Sequence, residues 1–185
     1  LAAAAVVIAG LTASSFRMVG PDYGQEIGLS PTDIGYFLAA FVAGGALAQY
    51  PAGWRADRFD RRWVLIWFSA AALLGCAATV SAADMGRVAV MAASGLFGFL
   101  TFPIYSIAAA HAHDFATSEE RVELSAALLF FFAVGAIASP LITSALIDSY
   151  GPPALFGFIA VGHALLVGFG LLRMRVRDTN PERTA

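Results

Sequence analysis

Apolar residues run in long blocks along this chain, and polar residues gather in short breaks between them. The blocks cover about residues 1–26, 33–53, 63–82, 87–111, 119–147 and 153–172. Crossing the hydrocarbon core of a bilayer takes a helix of roughly 20 apolar residues, and these runs are of that order. A backbone in lipid must satisfy its own hydrogen bonds, so such runs are helical. The pattern therefore predicts an all-α transmembrane protein, a six-helix bundle with short loops and a tail at 173–185. Short loops leave sequence neighbours packed antiparallel. Ser30-Pro31-Thr32-Asp33 reads as the start of the second helix, with Ser30 as N-cap and Pro31 in the first helical position. Gly151-Pro152-Pro153 reads as the turn that starts the sixth.

Composition agrees with this reading. Of 185 residues, 59% are hydrophobic and 13% charged, about half the charge of a soluble domain, where roughly 25% is usual. A net charge of −2 with the basic residues confined to a few spots offers nothing to a nucleic acid. Cys76 is the single cysteine and lies in an apolar span, so no intrachain disulfide can form. All eleven basic residues are Arg, a bias that points to a GC-rich bacterial genome. The chain begins at Leu1, already inside an apolar run with no charged segment before it, and reads as cut from a longer protein rather than as a signal peptide.

Charge placement sets an expected orientation. Arg55, Arg58, Arg61 and Arg62 follow the second span; Arg173, Arg175, Arg177 and Arg183 follow the sixth. An even number of spans separates the two groups, so they share a side, and the positive-inside rule makes that side cytoplasmic. The opposite loops carry Asp22, Glu26, Asp33, Asp84 and Asp148 against Arg87. Both ends of the chain are then expected in the cytoplasm of a bacterial inner membrane.

Between the second and third spans lies Gly53-Trp-Arg-Ala-Asp57-Arg58-Phe-Asp60-Arg61-Arg62. It resembles the signature loop of the major facilitator superfamily of secondary transporters, G-x-x-x-D-R/K-x-G-R/K-R/K. Gly53, Asp57, Arg58, Arg61 and Arg62 match; Asp60 stands where the family has Gly. Members of that family have twelve helices in two halves, each with this loop after its second helix. The resemblance therefore implies a six-helix half of a twelve-helix transporter, the C-terminal half by its arginine-rich tail, with an N-terminal half as partner. Gly135-Ala-Ile-Ala-Ser139-Pro140 is similar to the G-x-x-x-G-P element in the fifth helix of drug/proton antiporters, with Ser139 replacing Gly. The implied function is movement of a small solute by alternating access, proton-coupled and of the efflux type.

In the loop, Asp57 is an acceptor placed to meet a helix N-terminus and its positive dipole end. The resemblance implies that it helps lock one conformation. Arg58, Arg61 and Arg62 face three acidic candidates on the same side, Asp114, Glu119 and Glu120. The alternative is that these arginines enforce topology and hold membrane lipid headgroups. Asp60 offers Arg62 a second acceptor.

Candidate cavity residues come from the first and fourth spans, which the resemblance implies line the central cavity. Arg17 follows sixteen uncharged residues; an ionisable group there is a functional candidate by default, and the alternative is snorkelling to the interface. Thr12, Ser15, Asp22 and Glu26 form a polar stripe with Val19, and Pro21 and Gly24 are expected to interrupt the helix there. Asp22 reads equally as the outer end of the span. Ser94, Gly98, Thr101 and Tyr105 recur at i, i+4, i+7 and i+11, the surface of a cavity wall or of close helix packing, and Pro103 can bend that helix. Of Phe130, Phe131 and Phe132 one can face the cavity, and Gln49 reads as bonding a neighbouring helix. His111 and His113 point about 200° apart on a helix and make a poor metal pair. His163 reads as support within the bundle, with a proton relay as the alternative.

No motif asks for a cofactor or a metal. An intramembrane enzyme would need a nucleophile and base facing each other, and the serines and histidines form no such constellation. A non-transporting scaffold or sensor on the same fold is the remaining alternative.

Overall fold

The computed structural model describes residues 1–176; the expected tail beyond 176, with Arg177 and Arg183, lies outside the described residues. Seven α-helices occur among the described residues: α1 (Ala2–Glu26), α2 (Pro31–Arg58), α3 (Arg61–Ala82), α4 (Arg87–Thr101), α5 (Pro103–His113), α6 (Arg121–Tyr150) and α7 (Ala154–Val176). They make six units long and apolar enough to cross a membrane, because α4 and α5 are one span, Arg87–His113, broken at Phe102. Pro103 causes the break, since it has no N–H to give and its ring crowds the carbonyl one turn back. The Phe102 N–H still reaches the Gly98 carbonyl at 3.0 Å, so the span keeps its course.

The ends of the helices follow local chemistry. Ser30 caps α2, its hydroxyl accepting from the Asp33 N–H at 3.2 Å with Pro31 at the first position. α1 closes on Gly28, whose φ of 84° few other residues adopt. The Leu29 N–H bonds the Gly24 carbonyl and the Gly28 N–H bonds the Gln25 carbonyl, both at 2.9 Å. The interruption expected at Pro21 and Gly24 does not occur: α1 is continuous to Glu26. A proline deletes one bond of the ladder, and neighbouring packing holds the turn. Val19, Gly20, Tyr23 and Gly24 are buried there, and the Tyr23 hydroxyl donates to the Thr79 carbonyl of α3 at 3.2 Å.

Two interfaces organise the bundle. α1 packs along α6, and α2 along α4, with α3 against α7 behind them. Both interfaces are made by glycines at backbone contact. A Cβ on Gly10 would fall on the Phe132 carbonyl of α6, and one on Gly135 on the Val7 carbonyl of α1. A Cβ on Gly44 would meet the Gly95 carbonyl of α4, and one on Gly98 the Phe41 carbonyl of α2. Lipid supplies no hydrophobic drive between helices, so small residues that let backbones touch take over. Exchanging the first three spans for the last three leaves this pairing unchanged, the relation expected of nested inverted repeats.

The core has two aromatic and aliphatic centres. Phe16, Phe37, Phe41, Phe97 and Phe156 cluster at one level, with Phe16 and Phe41 stacked 4.0 Å apart. Val6, Leu65, Phe68, Ile104, Leu128 and Leu166 fill the other. By contrast α6 buries only a narrow stripe, Leu128, Gly135, Ser139, Thr143 and Ile147. Leu129, Phe130, Val134, Ile137 and Leu141 are exposed on it.

Candidate functional site

A cleft of about 220 Å3 opens where α1, α2, α5 and α6 approach each other. α1 contributes Ala9, Thr12, Ala13 and Arg17, and α2 contributes Phe41 and Gln49. Thr101 and Phe102 at the α4–α5 break, Tyr105 and Ser106 of α5, and Phe132 of α6 complete the wall. The Arg17 guanidinium lies over the Phe102 ring, 5.6 Å from its centre. Tyr105 and Phe132 meet edge to face at 5.5 Å. The Ser106 hydroxyl donates to Gln49 Oε1 at 3.2 Å. Behind the wall the Thr12 hydroxyl lies 3.1 Å from Nε2 of the fully buried His163, which ties α1 to α7.

Of the six expected cavity residues, Arg17, Thr101 and Tyr105 reach this cleft. Thr101 turns its hydroxyl back to the Phe97 carbonyl at 2.8 Å. Ser15 and Ser94 do not reach it. Ser15 is buried between α1 and α6, where the Thr143 hydroxyl donates to it at 3.4 Å. Ser94 is buried against α2 and donates to the Phe37 carbonyl at 2.7 Å. The stripe crosses several levels of the bundle: Ser94 and Gly98 lie where α4 is pressed on α2, and Thr101 and Tyr105 lie farther along, where the cleft opens. Asp22 opens on a separate cleft at the acidic end of the bundle, with Gln25, Glu26 and Asp148. The polar stripe of α1 therefore splits, with Thr12, Ser15 and Val19 inside and Asp22 and Glu26 exposed. Of the three phenylalanines, Phe132 faces the cleft while Phe130 and Phe131 are exposed. Ser106 and Phe102 escaped the sequence reading because they join Gln49 and Arg17 only through the crossing of different helices.

The arginine-rich segment is largely helical rather than a loop. α2 continues through Gly53, Asp57 and Arg58, and only Phe59 and Asp60 separate it from α3. Its C-terminus is tightened by the Phe59 N–H on the Arg55 carbonyl at 2.9 Å. Asp60, not Asp57, caps α3: its carboxylate accepts from the Arg62 N–H at 2.9 Å and from the Arg62 side chain at 3.0 Å. Burial pushes the Asp60 carboxyl upward, but the hydrogen bonds and charge of Arg62 outweigh it and hold the group below its ordinary value. Arg61 is the hub of this end. It donates to Asp114 and to the Ala110 carbonyl, each at 2.7 Å, to Asp57 at 3.2 Å and to the Ala56 carbonyl at 3.3 Å. It therefore joins α2, α3 and the end of α5. Arg58 stacks on Trp54 at 4.1 Å. Glu120 turns inward on its own loop, accepting from the Thr117 N–H and hydroxyl at 2.9 Å, and these bonds lower its pKa. Glu119, the third acidic candidate, is exposed. His111 and His113 diverge, one ring edge-on to Phe115 and the other 3.3 Å from the Ser125 hydroxyl.

The sequence profile of the Major Facilitator Superfamily matches residues 2–185. An uncharacterized MFS-type transporter of Yersinia pestis (strain Pestoides F) is 32% identical over 178 residues, covering 96% of this chain and 44% of its own length. The uncharacterized MFS-type transporter YcaD of Escherichia fergusonii is 29% identical over 175 residues, with 95% and 44% covered. Among solved structures, an auto-inhibited peptide transporter of the POT family superposes with a TM-score of 0.78 at 18% identity, over 97% of this chain and 37% of that one. That likeness is one of fold. The chain thus spans about 44% of the length of these curated relatives. With six units among the described residues long and apolar enough to cross a membrane, and with these relatives, the chain is an integral, multi-pass membrane protein. The chain belongs to the major facilitator superfamily.

Proposed function

We propose that this chain is the C-terminal half of a secondary transporter. An N-terminal half of six further helices closes the other wall, a small solute binds between the halves, and access alternates as they rock. The observation that carries this reading is the cleft among α1, α2, α5 and α6, whose wall sets Arg17, Gln49 and Tyr105 among phenylalanine rings and small residues. A wall of that kind orients a solute through a few polar groups. The pairing of spans by inverted repeats supports it.

The arginine-rich end lies in the cytoplasm of a bacterial inner membrane, as the positive-inside rule directs. There the Arg61–Asp114 pair braces this half, while Asp57 and Arg58, both exposed, meet the other half or lipid headgroups as the halves rock. Export coupled to protons is the finer reading. It is supported by the Gly135–Pro140 element at the α1–α6 contact and by two proton-carrying candidates, Asp22 and His163.

The test is labelling by a membrane-impermeant thiol reagent in a background with Cys76 replaced by Ser. A cysteine at Tyr105→Cys should react from one side, and from the other when the transporter is driven across. A cysteine at the buried Ser94→Cys should stay silent. Silence of position 105 from both sides would refute an aqueous transport cavity and leave a scaffold or sensor on this fold.

A further inference from the structure

We infer that the cleft takes an organic anion with an apolar body, its negative group held by Arg17. The inference rests on the reading of the cleft as a transport site. It follows from what the wall offers to hydrogen-bond.

The wall is rich in donors. Arg17 carries five N–H groups, and its guanidinium contacts the Phe102 ring rather than a carboxylate. Gln49 has its carbonyl oxygen engaged by Ser106, so its amide nitrogen keeps both protons for another acceptor. The Tyr105 hydroxyl has no hydrogen-bond partner among the described residues. Among the described residues, no Asp or Glu lines the cleft. The nearest acidic residue on α1, Asp22, opens on the other cleft with Glu26 and Asp148.

The position of Arg17 also separates the two readings of it. A snorkelling arginine would run along α1 toward Asp22 and Glu26 at the end of the span. Instead the guanidinium lies on Phe102, a wall residue of the cleft. Arg17 is exposed on the open cleft, and among the described residues no carboxylate lines the cleft beside it. A carboxylate of a bound solute fits its fork of donors with two parallel hydrogen bonds. The hydroxyls of Thr12 and Thr101 are engaged with His163 and the Phe97 carbonyl, and the remaining wall is rings and methyl groups, Phe41, Phe102, Phe132, Ala9 and Ala13, which suit an aromatic or aliphatic body.

Three probes with one ring system decide the matter by calorimetry on the full-length protein in detergent: naphthoate, neutral naphthamide and the cationic naphthylmethylamine. Naphthoate should bind about tenfold tighter than naphthamide, the difference between a charged and a neutral hydrogen-bond partner. The ammonium compound should bind weakest. Arg17→Gln should abolish the preference for naphthoate over naphthamide, and Arg17→Lys should keep part of it. Equal affinities in the unaltered protein, tightest binding of the ammonium compound, a preference that survives Arg17→Gln, or no binding of any probe would each overturn the proposal. Equal affinities would mean that a carboxylate of the other half already neutralises Arg17. The comparison in the unaltered protein needs no variant, so a misfolded Arg17→Gln does not remove the test. Labelling of Tyr105→Cys from water keeps the two readings apart: with labelling but no anion preference, the transport cavity stands and the substrate class falls.

Discussion

Removing the Arg61 side chain should loosen the arginine-rich end of the bundle more than any other single change there. Its guanidinium bonds two helix C-terminal carbonyls, Ala56 and Ala110, and two carboxylates, Asp57 and Asp114. The side chains of Arg61 and Asp114 are only 13% and 18% exposed, whereas Asp57 is 71% exposed. Breaking a buried pair by deleting one partner costs about 3–5 kcal/mol, while an exposed pair contributes about 0–1. Arg61→Ala lies toward the buried limit, softened by partial exposure, at about 3 kcal/mol. Asp114→Asn keeps an oxygen for the guanidinium and should cost about 1–1.5 kcal/mol. Asp57→Asn should stay within about 0.5 kcal/mol. The coupling between Arg61 and Asp114 in a double-mutant cycle should be about 1–2 kcal/mol. Cys76, buried in α3 at 3% exposure and the single cysteine of these 185 residues, is a ready reporter. In a background where it is the only thiol, its labelling rate by a fluorescent maleimide follows the population of opened molecules. Arg61→Ala should raise that rate roughly hundredfold, since each 1.4 kcal/mol is about a factor of ten. The reasoning fails if Asp57→Asn matches Arg61→Ala, or if Arg61 and Asp114 show no coupling.

The same reporter checks three further expectations. Gly44→Ala and Gly98→Ala each set a methyl group on a backbone carbonyl of the facing helix, which no side-chain rotation relieves, and should cost about 1–3 kcal/mol. Gly53→Ala meets nothing within 4 Å and should stabilise α2 by up to about 1 kcal/mol; a stable Gly53→Ala protein that no longer transports would place the role of Gly53 outside this half's own packing. Asp60 is held below its ordinary pKa, so its ionised form stabilises the fold at neutral pH, fully so above the unfolded value of about 4, and that contribution is lost as pH falls through the lowered folded value. Opening of the fold, read as the Cys76 labelling rate divided by that of the same thiol in unfolded protein at each pH, should therefore rise in acid less steeply for Asp60→Asn than for the unaltered protein, and identical acid profiles would refute the linkage.

Much of this architecture was legible one residue at a time. Apolar run length alone fixed six membrane units and their helical state, because lipid leaves the backbone no other way to satisfy itself. Ser30 and Pro31 announced the start of α2, and the loop arginines other than Arg87 gathered at one end. These are local or additive properties, and a sequence states them directly. Pairwise properties were harder to read. The face that a residue presents depends on which helix crosses it, and helical periodicity is carried only as far as a helix stays straight. Ser94 and Tyr105 share a stripe on paper, yet α2 covers the first and the cleft opens at the second. Pro21 read as a helix break and became an interior residue, because Tyr23 and its neighbours are buried on both sides of it. Asp60 read as a second acceptor for Arg62, and it is also the N-cap of α3, because α2 runs on to Arg58.

The sequence thus determined how many times the chain crosses the membrane, which end carries the positive charge and which residues are costly enough to matter, Arg17 and the arginine-rich segment foremost. Only the tertiary structure decided which of them meet: Arg61 with Asp114, Gln49 with Ser106, Thr12 with His163, and Arg17 with Phe102. The reason is physical. A span is selected by the free energy of transfer of its own residues, whereas a site is made where glycines such as Gly10, Gly44, Gly98 and Gly135 let separate helices close on each other.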